Sequence, residues 1–161
     1  MDIRRAQPDD FPYLKPMLLD MGFVDHPAAL ETRFAHFCAD PFHHLFVALR
    51  AEERLGYAAV HDYGPHLRSG DQHRTAKLDD LYTRPDARRQ GVGRALMRGV
   101  EAWAQTAPVR YVFWYANQRE AGPAYRAMGY AAQPSGQEGY DFFEIDLGNP
   151  DLRLPHALRG S

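Results

Sequence analysis

A pair of carboxylates, a cluster of arginines and two closely spaced glycines fall within residues 78–94, in the order L-D-D-L-Y-T-R-P-D-A-R-R-Q-G-V-G-R. Gly91 and Gly93 lack a Cβ, so the amides around them can approach a ligand closely. A glycine turn that opens a helix gathers unpaired N–H groups at the positive end of the helix dipole, which makes an anion site. Arg88 and Arg89 add charge beside it, and Arg84, Arg94 and Arg98 extend the basic patch. Asp79 and Asp80 suit a different task. A carboxylate can attract a cation or take a proton from a reacting group. The segment therefore reads as a site that holds a phosphate-bearing cofactor while an acid faces what reacts with it. Strand alternation sends Asp79 and Asp80 to opposite faces, so one of them points at the reacting partner, and the sequence does not say which. Taken alone the glycines carry little, because a tight turn before a surface helix with solvated arginines has the same composition. The G-K-[ST] of a Walker loop is missing, and Leu96 stands where the longer G-x-G-x-x-G fingerprint needs glycine.

The elements that must position these residues follow from periodicity. An extended run with Leu81, Tyr82 and Thr83 leads to a turn at Pro85, and a helix is expected over 90–104 with Val92, Leu96, Val100 and Trp103 as its packing stripe. Earlier strands are expected at 2–6, 45–49 and 55–63, the last two forming an antiparallel hairpin. A helix is expected over 11–21, with Asp9 or Asp10 as N-cap, Gly22 as stop and Pro16 as a kink or interruption. A second helix starts after Pro27 and ends near Asp40-Pro41. The stretch 68–75 reads as a loop. Later come a strand at 110–115, a polar turn at 117–120, a short helix carrying Tyr125 and Met128, a loop at 133–139 and a strand at 141–147. This order predicts a mixed α/β sheet with helices on both faces. Residues 1–147 form one domain in this reading, and 148–161 a poorly ordered tail.

With 161 residues, 45% hydrophobic and 25% charged, the composition is that of one globular domain. A net charge of −2 argues against a broad nucleic-acid surface. Cys38 is the one cysteine, which excludes an intrachain disulfide and a cysteine-cluster metal site and fits a reducing cytoplasm. The charged start M-D-I-R-R-A does not read as a signal peptide, and no apolar run approaches a membrane span. The adjacent His43 and His44 have no carboxylate or cysteine at ligand spacing, and no metal is expected.

Residues 78–98 resemble the acyl-coenzyme A binding motif of the GNAT superfamily of N-acetyltransferases. Arg88-Arg89-Gln90-Gly91-Val92-Gly93 matches its [RQ]-x-x-G-x-[GA], and Leu81-Tyr82-Thr83-Arg84-Pro85 matches its strand-plus-proline lead-in, with Thr83 where valine is common. The stretch Y-V-F-W-Y-A-N through A-Y-R-A-M-G-Y is similar to the family's second signature. The resemblance implies a mostly antiparallel mixed sheet of six to seven strands. It implies acetyl-CoA as acyl donor, with the amides from Arg89 to Arg94 on the pyrophosphate and the backbone of Leu81 to Thr83 on the pantetheine arm. It makes Tyr125 the acid that protonates the departing thiolate, and Asp79 or Asp80 the contact to the amine, with His61 as a further candidate base. Asn117 lies eight residues before Tyr125 rather than the family's usual seven, so either Gln118 takes the asparagine's place or the loop carries one extra residue. The acceptor is expected to be a small cationic primary amine, attacking directly in a ternary complex. Protein amino termini or lysines remain open, as does a non-catalytic acyl-CoA-binding module. A homodimer is compatible, and no nucleic-acid or membrane partner is expected.

Overall fold

The apolar run at 45–49 is the middle of a longer strand in the computed structural model of the chain, which describes residues 1–149. β2, His43–Arg50, pairs antiparallel with β1, Asp2–Arg5, and with β3, Glu53–Asp62. The hairpin turns at Ala51, which takes a positive φ of 55°. The remaining strands are β4 (Thr75–Thr83), β5 (Tyr111–Asn117), β6 (Gln133–Pro134) and β7 (Tyr140–Asp146). They complete a seven-stranded mixed sheet in the order β1-β2-β3-β4-β5-β7-β6. The loop expected at 133–139 contains β6, two residues ending in a proline, too short to show as alternation. The expectation for the tail from Pro150 onward falls outside the described residues.

Contacts gather the chain into two units, one of Met1–Asp62 with Leu78–Trp103, the other of Tyr63–Lys77 with the chain from Ala104 onward. In the first unit β2 is buried on both faces, and its alternation sorts the neighbours. Leu45, Val47 and Leu49 join a cluster with Leu14 and Met17 of α1 (Phe11–Met21) and Leu30 and Phe34 of α2 (Leu30–Ala39). On the opposite face, His44 and Phe46 meet Trp103 of α3 (Val92–Thr106), with ring centroids 4.3 and 6.4 Å apart. Helices thus cover both faces here. The buried stripe of α3 is Val92, Leu96, Met97 and Val100, each within 1% of full burial, which contributes on the order of 1.5–3 kcal/mol per side chain.

Pro16 does not interrupt α1, which runs Phe11–Met21. The proline is exposed, as is Pro12 one turn earlier, so the carbonyl that loses its partner can turn to water. Asp10 is fully buried and caps the preceding turn by accepting the Gln7 N–H at 2.8 Å.

In the second unit Thr75–Lys77 of β4 pairs parallel with Tyr111–Phe113, and β5 pairs antiparallel with β7. One face of β5 and β7 buries Val112, Trp114, Phe143 and Ile145, with Trp114 stacked on Phe143 at 5.5 Å. Tyr125 of α4 (Gly122–Ala127) and Tyr130 pack on that aromatic pair.

Candidate active site

The glycine turn lies between two buried anchors, Ala87 and Val92. Ahead of it, Arg84 is held by Glu53 and Asp86, an arrangement that raises its pKa through those hydrogen bonds and keeps this arginine as a structural brace. Gln90 Nε2 donates to the Asp86 carbonyl at 3.2 Å, and Arg88 Nε donates to the Thr83 carbonyl at 3.2 Å. Arg89 and Gly91 both take positive φ, 63° and 83°. Two left-handed residues so close turn the chain sharply into α3, whose first bond runs from Ala95 N to Gly91 O at 3.0 Å. The amides of a helix's first turn have no partner within the helix and face outward. A Cβ built on Gly91 meets nothing within 4 Å, so the turn fronts open space. Arg88 and Arg89 are exposed beside it. The cradle fits a pyrophosphate, the anion of coenzyme A, and Arg89, Gln90, Gly91, Val92, Gly93 and Arg94 are the residues that would hold it.

β4 brings the acids. Asp79 is exposed, whereas Asp80 is partly buried and turned to the α1–α2 face, where Tyr57 Oη donates to its Oδ2 at 3.1 Å. Burial pushes the Asp80 carboxyl up, the Tyr57 hydrogen bond works against that rise, and Asp79 adds to it. Asp80 lines an apolar recess together with Leu14, Leu18, Phe34, Leu45 and Tyr57. His61 lies two residues beyond Ala59 on β3 and stacks on His43 at 4.6 Å rather than lining that recess. Tyr82 faces the same side as Asp80, and its hydroxyl donates to Asp20 at 2.5 Å. Its carbonyl approaches Gly56 so closely that a Cβ there would overlap it. Gly56 and Tyr57 escaped the sequence reading. An isolated glycine inside a strand pattern was the signal for the first, and nothing local marked the second.

The second unit holds Tyr125, 8% exposed, with its ring 5.2 Å from Trp114 and 5.4 Å from Phe143. α4 closes with two bonds, Tyr130 N to Tyr125 O at 3.1 Å and Gly129 N to Arg126 O at 2.8 Å, around Gly129 at φ 96°. This is a Schellman cap. Asn117 Oδ1 accepts the N–H groups of Arg119 at 2.9 Å and Glu120 at 3.2 Å, which leaves only its Nδ2 for a ligand. Gln118 Nε2 is turned to Asp141 at 3.2 Å. Pro123 sits in the first turn of α4, where it costs no helical bond. Gly122 lets α4 start directly over β5, since a Cβ there would lie 2.9 Å from the Asn117 carbonyl. Among the described residues no three His, Cys, Asp or Glu side chains are grouped to hold a metal ion. No described helix is long and apolar enough to cross a membrane.

The family model for the acetyltransferase (GNAT) family matches residues 3–130. The chain belongs to the GNAT acetyltransferase family. This GNAT acetyltransferase shares its fold with a ribosomal-protein-alanine N-acetyltransferase from Brucella melitensis, at 20% identity over 91% of this chain and 100% of the other, with a TM-score of 0.69. An acetyltransferase of the GNAT family from Streptococcus pneumoniae matches at 15% identity over 91% and 99% of the two chains, TM-score 0.71. An aminoglycoside antibiotic 6'-N-acetyltransferase from Acinetobacter haemolyticus matches at 17% identity over 85% and 95%, TM-score 0.69. No curated protein matches the chain. The seven-stranded mixed sheet is that of these GNAT structures, and the family generally uses acetyl-CoA.

Proposed function

We propose that this acetyltransferase moves an acetyl group from acetyl-CoA to the primary amine of a small cationic acceptor, by direct attack in a ternary complex. The observation that carries the reading is Asp80, a carboxylate held by Tyr57 at an apolar recess, three residues before Thr83 at the end of the motif strand. The amides from Arg89 to Arg94 bind the pyrophosphate, with Arg88 and Arg89 adding charge. The backbone of Leu81, Tyr82 and Thr83 pairs with the pantetheine arm as an added strand would. Coenzyme A supplies the thioester. Asp80 attracts the acceptor's ammonium group and takes its proton, for which a carboxyl raised by burial is better matched than an ordinary one. Asp79, exposed on the same strand, contributes its negative charge. An amide at Leu81 or Tyr82 donates to the carbonyl oxygen as charge develops there. Tyr125 gives its phenolic proton to the departing sulfur. Asn117 holds the turn that opens α4.

A non-catalytic acyl-CoA-binding module is the second reading, favoured by one observation: Tyr125 is packed in an aromatic cluster as a core residue would be. Tyr125→Phe separates the two. Loss of general acid catalysis is worth on the order of 10²–10⁴-fold, so free-thiol release should fall by at least about 100-fold while coenzyme A binding, followed by calorimetry against ATP, is kept. Unchanged transfer to every responsive amine would remove Tyr125 from the mechanism, and preference for ATP would remove acetyl-CoA.

A further inference from the structure

The recess beside Asp80 is built almost wholly of hydrocarbon. Leu14 and Leu18 come from α1, Leu30, Phe34 and Phe37 from α2, and Leu45 from β2. Its polar atoms come from Asp80, Tyr57 and Arg33. The Tyr57 hydroxyl satisfies one site on the Asp80 carboxylate, and an ionised carboxylate has further acceptor capacity. Arg33 is committed elsewhere, since its Nη2 donates to the Asp25 carbonyl at 2.8 Å. A half-buried carboxylate in apolar surroundings gains from a cation delivered to it. An ammonium group attached to a hydrocarbon body supplies that cation and fills the space at once.

We infer that the acceptor is a compact apolar primary amine with one positive charge, its ammonium on Asp80 and its hydrocarbon body in the recess between α1 and α2. This rests on the acetyl-transfer reading above and narrows it. The recess holds about 100 Å³, somewhat less than the roughly 150 Å³ cavity that accepts a benzene ring. A branched aliphatic body of about four carbons, such as the isobutyl part of 3-methylbutylamine, is the matching size. Polyamines and aminoglycosides are disfavoured for a stated reason. Each further ammonium would lose its water against leucine and phenylalanine, or sit beside the Arg33 guanidinium, where like charges repel.

The experiment has a turnover arm and a binding arm. Free-thiol release is measured with acetyl-CoA and 3-methylbutylamine, leucine, spermidine or kanamycin. The expected result is a kcat/KM for 3-methylbutylamine at least tenfold above those of leucine, spermidine and kanamycin. Leucine would bring its own carboxylate beside Asp80, so a preference for leucine over 3-methylbutylamine overturns the inference of an apolar amine. Arg33→Ala should raise kcat/KM for spermidine. In the binding arm, calorimetry follows 3-methylbutylamine on the protein with coenzyme A present. Asp80→Asn, nearly unchanged in shape, should weaken binding at least tenfold. Ala59→Leu, which narrows the recess from β3, should shift preference toward ethylamine. Preference for spermidine or kanamycin, or binding indifferent to both variants, overturns the inference. Tight, Asp80-dependent binding without thiol release from any amine supports the recess assignment and overturns acetyl transfer instead.

Discussion

Asp10 ties three elements to one buried carboxylate, and its replacement gives a measurable, pH-graded loss of stability. It is 0% exposed and sits at the head of α1. Arg4 of β1 donates to it at 2.7 and 2.9 Å, Arg54 of β3 at 3.1 Å, and the Gln7 amide at 2.8 Å. Burial alone would raise this carboxyl, but the Arg4, Gln7 and Arg54 hydrogen bonds outweigh it and hold the pKa at about 2, against an ordinary 3.8. That gap corresponds to about 2.5 kcal/mol of stability for the charged form. The Arg4 side chain is 37% exposed, so solvent trims its share and about 2 kcal/mol is the working figure. The sign follows from the depressed value. Above about pH 5 the carboxylate is charged in both folded and unfolded chains and the contribution is complete. As pH falls from 3.8 toward 2 the unfolded chain protonates first, and the contribution drains away.

Asp10→Asn keeps the shape and an acceptor for the Gln7 amide while removing the charge. Urea denaturation at pH 7 should show a loss of about 2 kcal/mol, which for a chain of this size is a fall in Tm of roughly 4–8 °C. The gap between wild type and variant should shrink steadily between about pH 5 and pH 2. Because α1 carries Leu14 and Leu18 of the acceptor recess, KM for the amine should rise more than KM for acetyl-CoA. A variant within about 0.5 kcal/mol of wild type at pH 7, the usual range for inert surface changes, would refute the reasoning. So would a gap independent of pH.

Other outcomes follow from the same geometry. Gly56→Ala should destabilise by about 2 kcal/mol or more, since its Cβ would overlap the Tyr82 carbonyl in the motif strand; an unaltered urea midpoint would contradict the close approach. His44 is buried and accepts from Arg5 Nη1 at 2.5 Å on Nδ1, and burial followed by the Arg5 charge lowers its pKa from 6.5 to about 4. A depressed histidine leaves stability whole above pH 6.5 and removes it as pH falls toward 4, by about 3 kcal/mol in all. His44→Phe should flatten that part of the pH–stability curve, and an unchanged slope between pH 6.5 and 4.5 would exclude this histidine as its source.

What the sequence made legible was whatever a single element decides. The β2–β3 hairpin, the α1 stop at Gly22 and the buried stripe of α3 all follow from local periodicity and one residue's backbone preference. The tyrosine that precedes a glycine-aromatic pair by a fixed interval has a local cause too. Gly129 in the left-handed region lets Tyr130 N close on Tyr125 O, so part of the second signature is the geometry of a helix end rather than chemistry. Asn117 shows the same economy, because its side chain builds the turn over which Gly122 lets α4 begin. What escaped was set by partners distant in sequence. Alternation said that Asp79 and Asp80 diverge, but choosing between them needed Tyr57, 23 residues earlier, and the two helices that make the recess apolar. Read in line, the adjacent aspartates point to a cationic amine and no further, whereas the fold half-buries one of them at an apolar recess and leaves the other exposed, so a single carboxylate lines that recess.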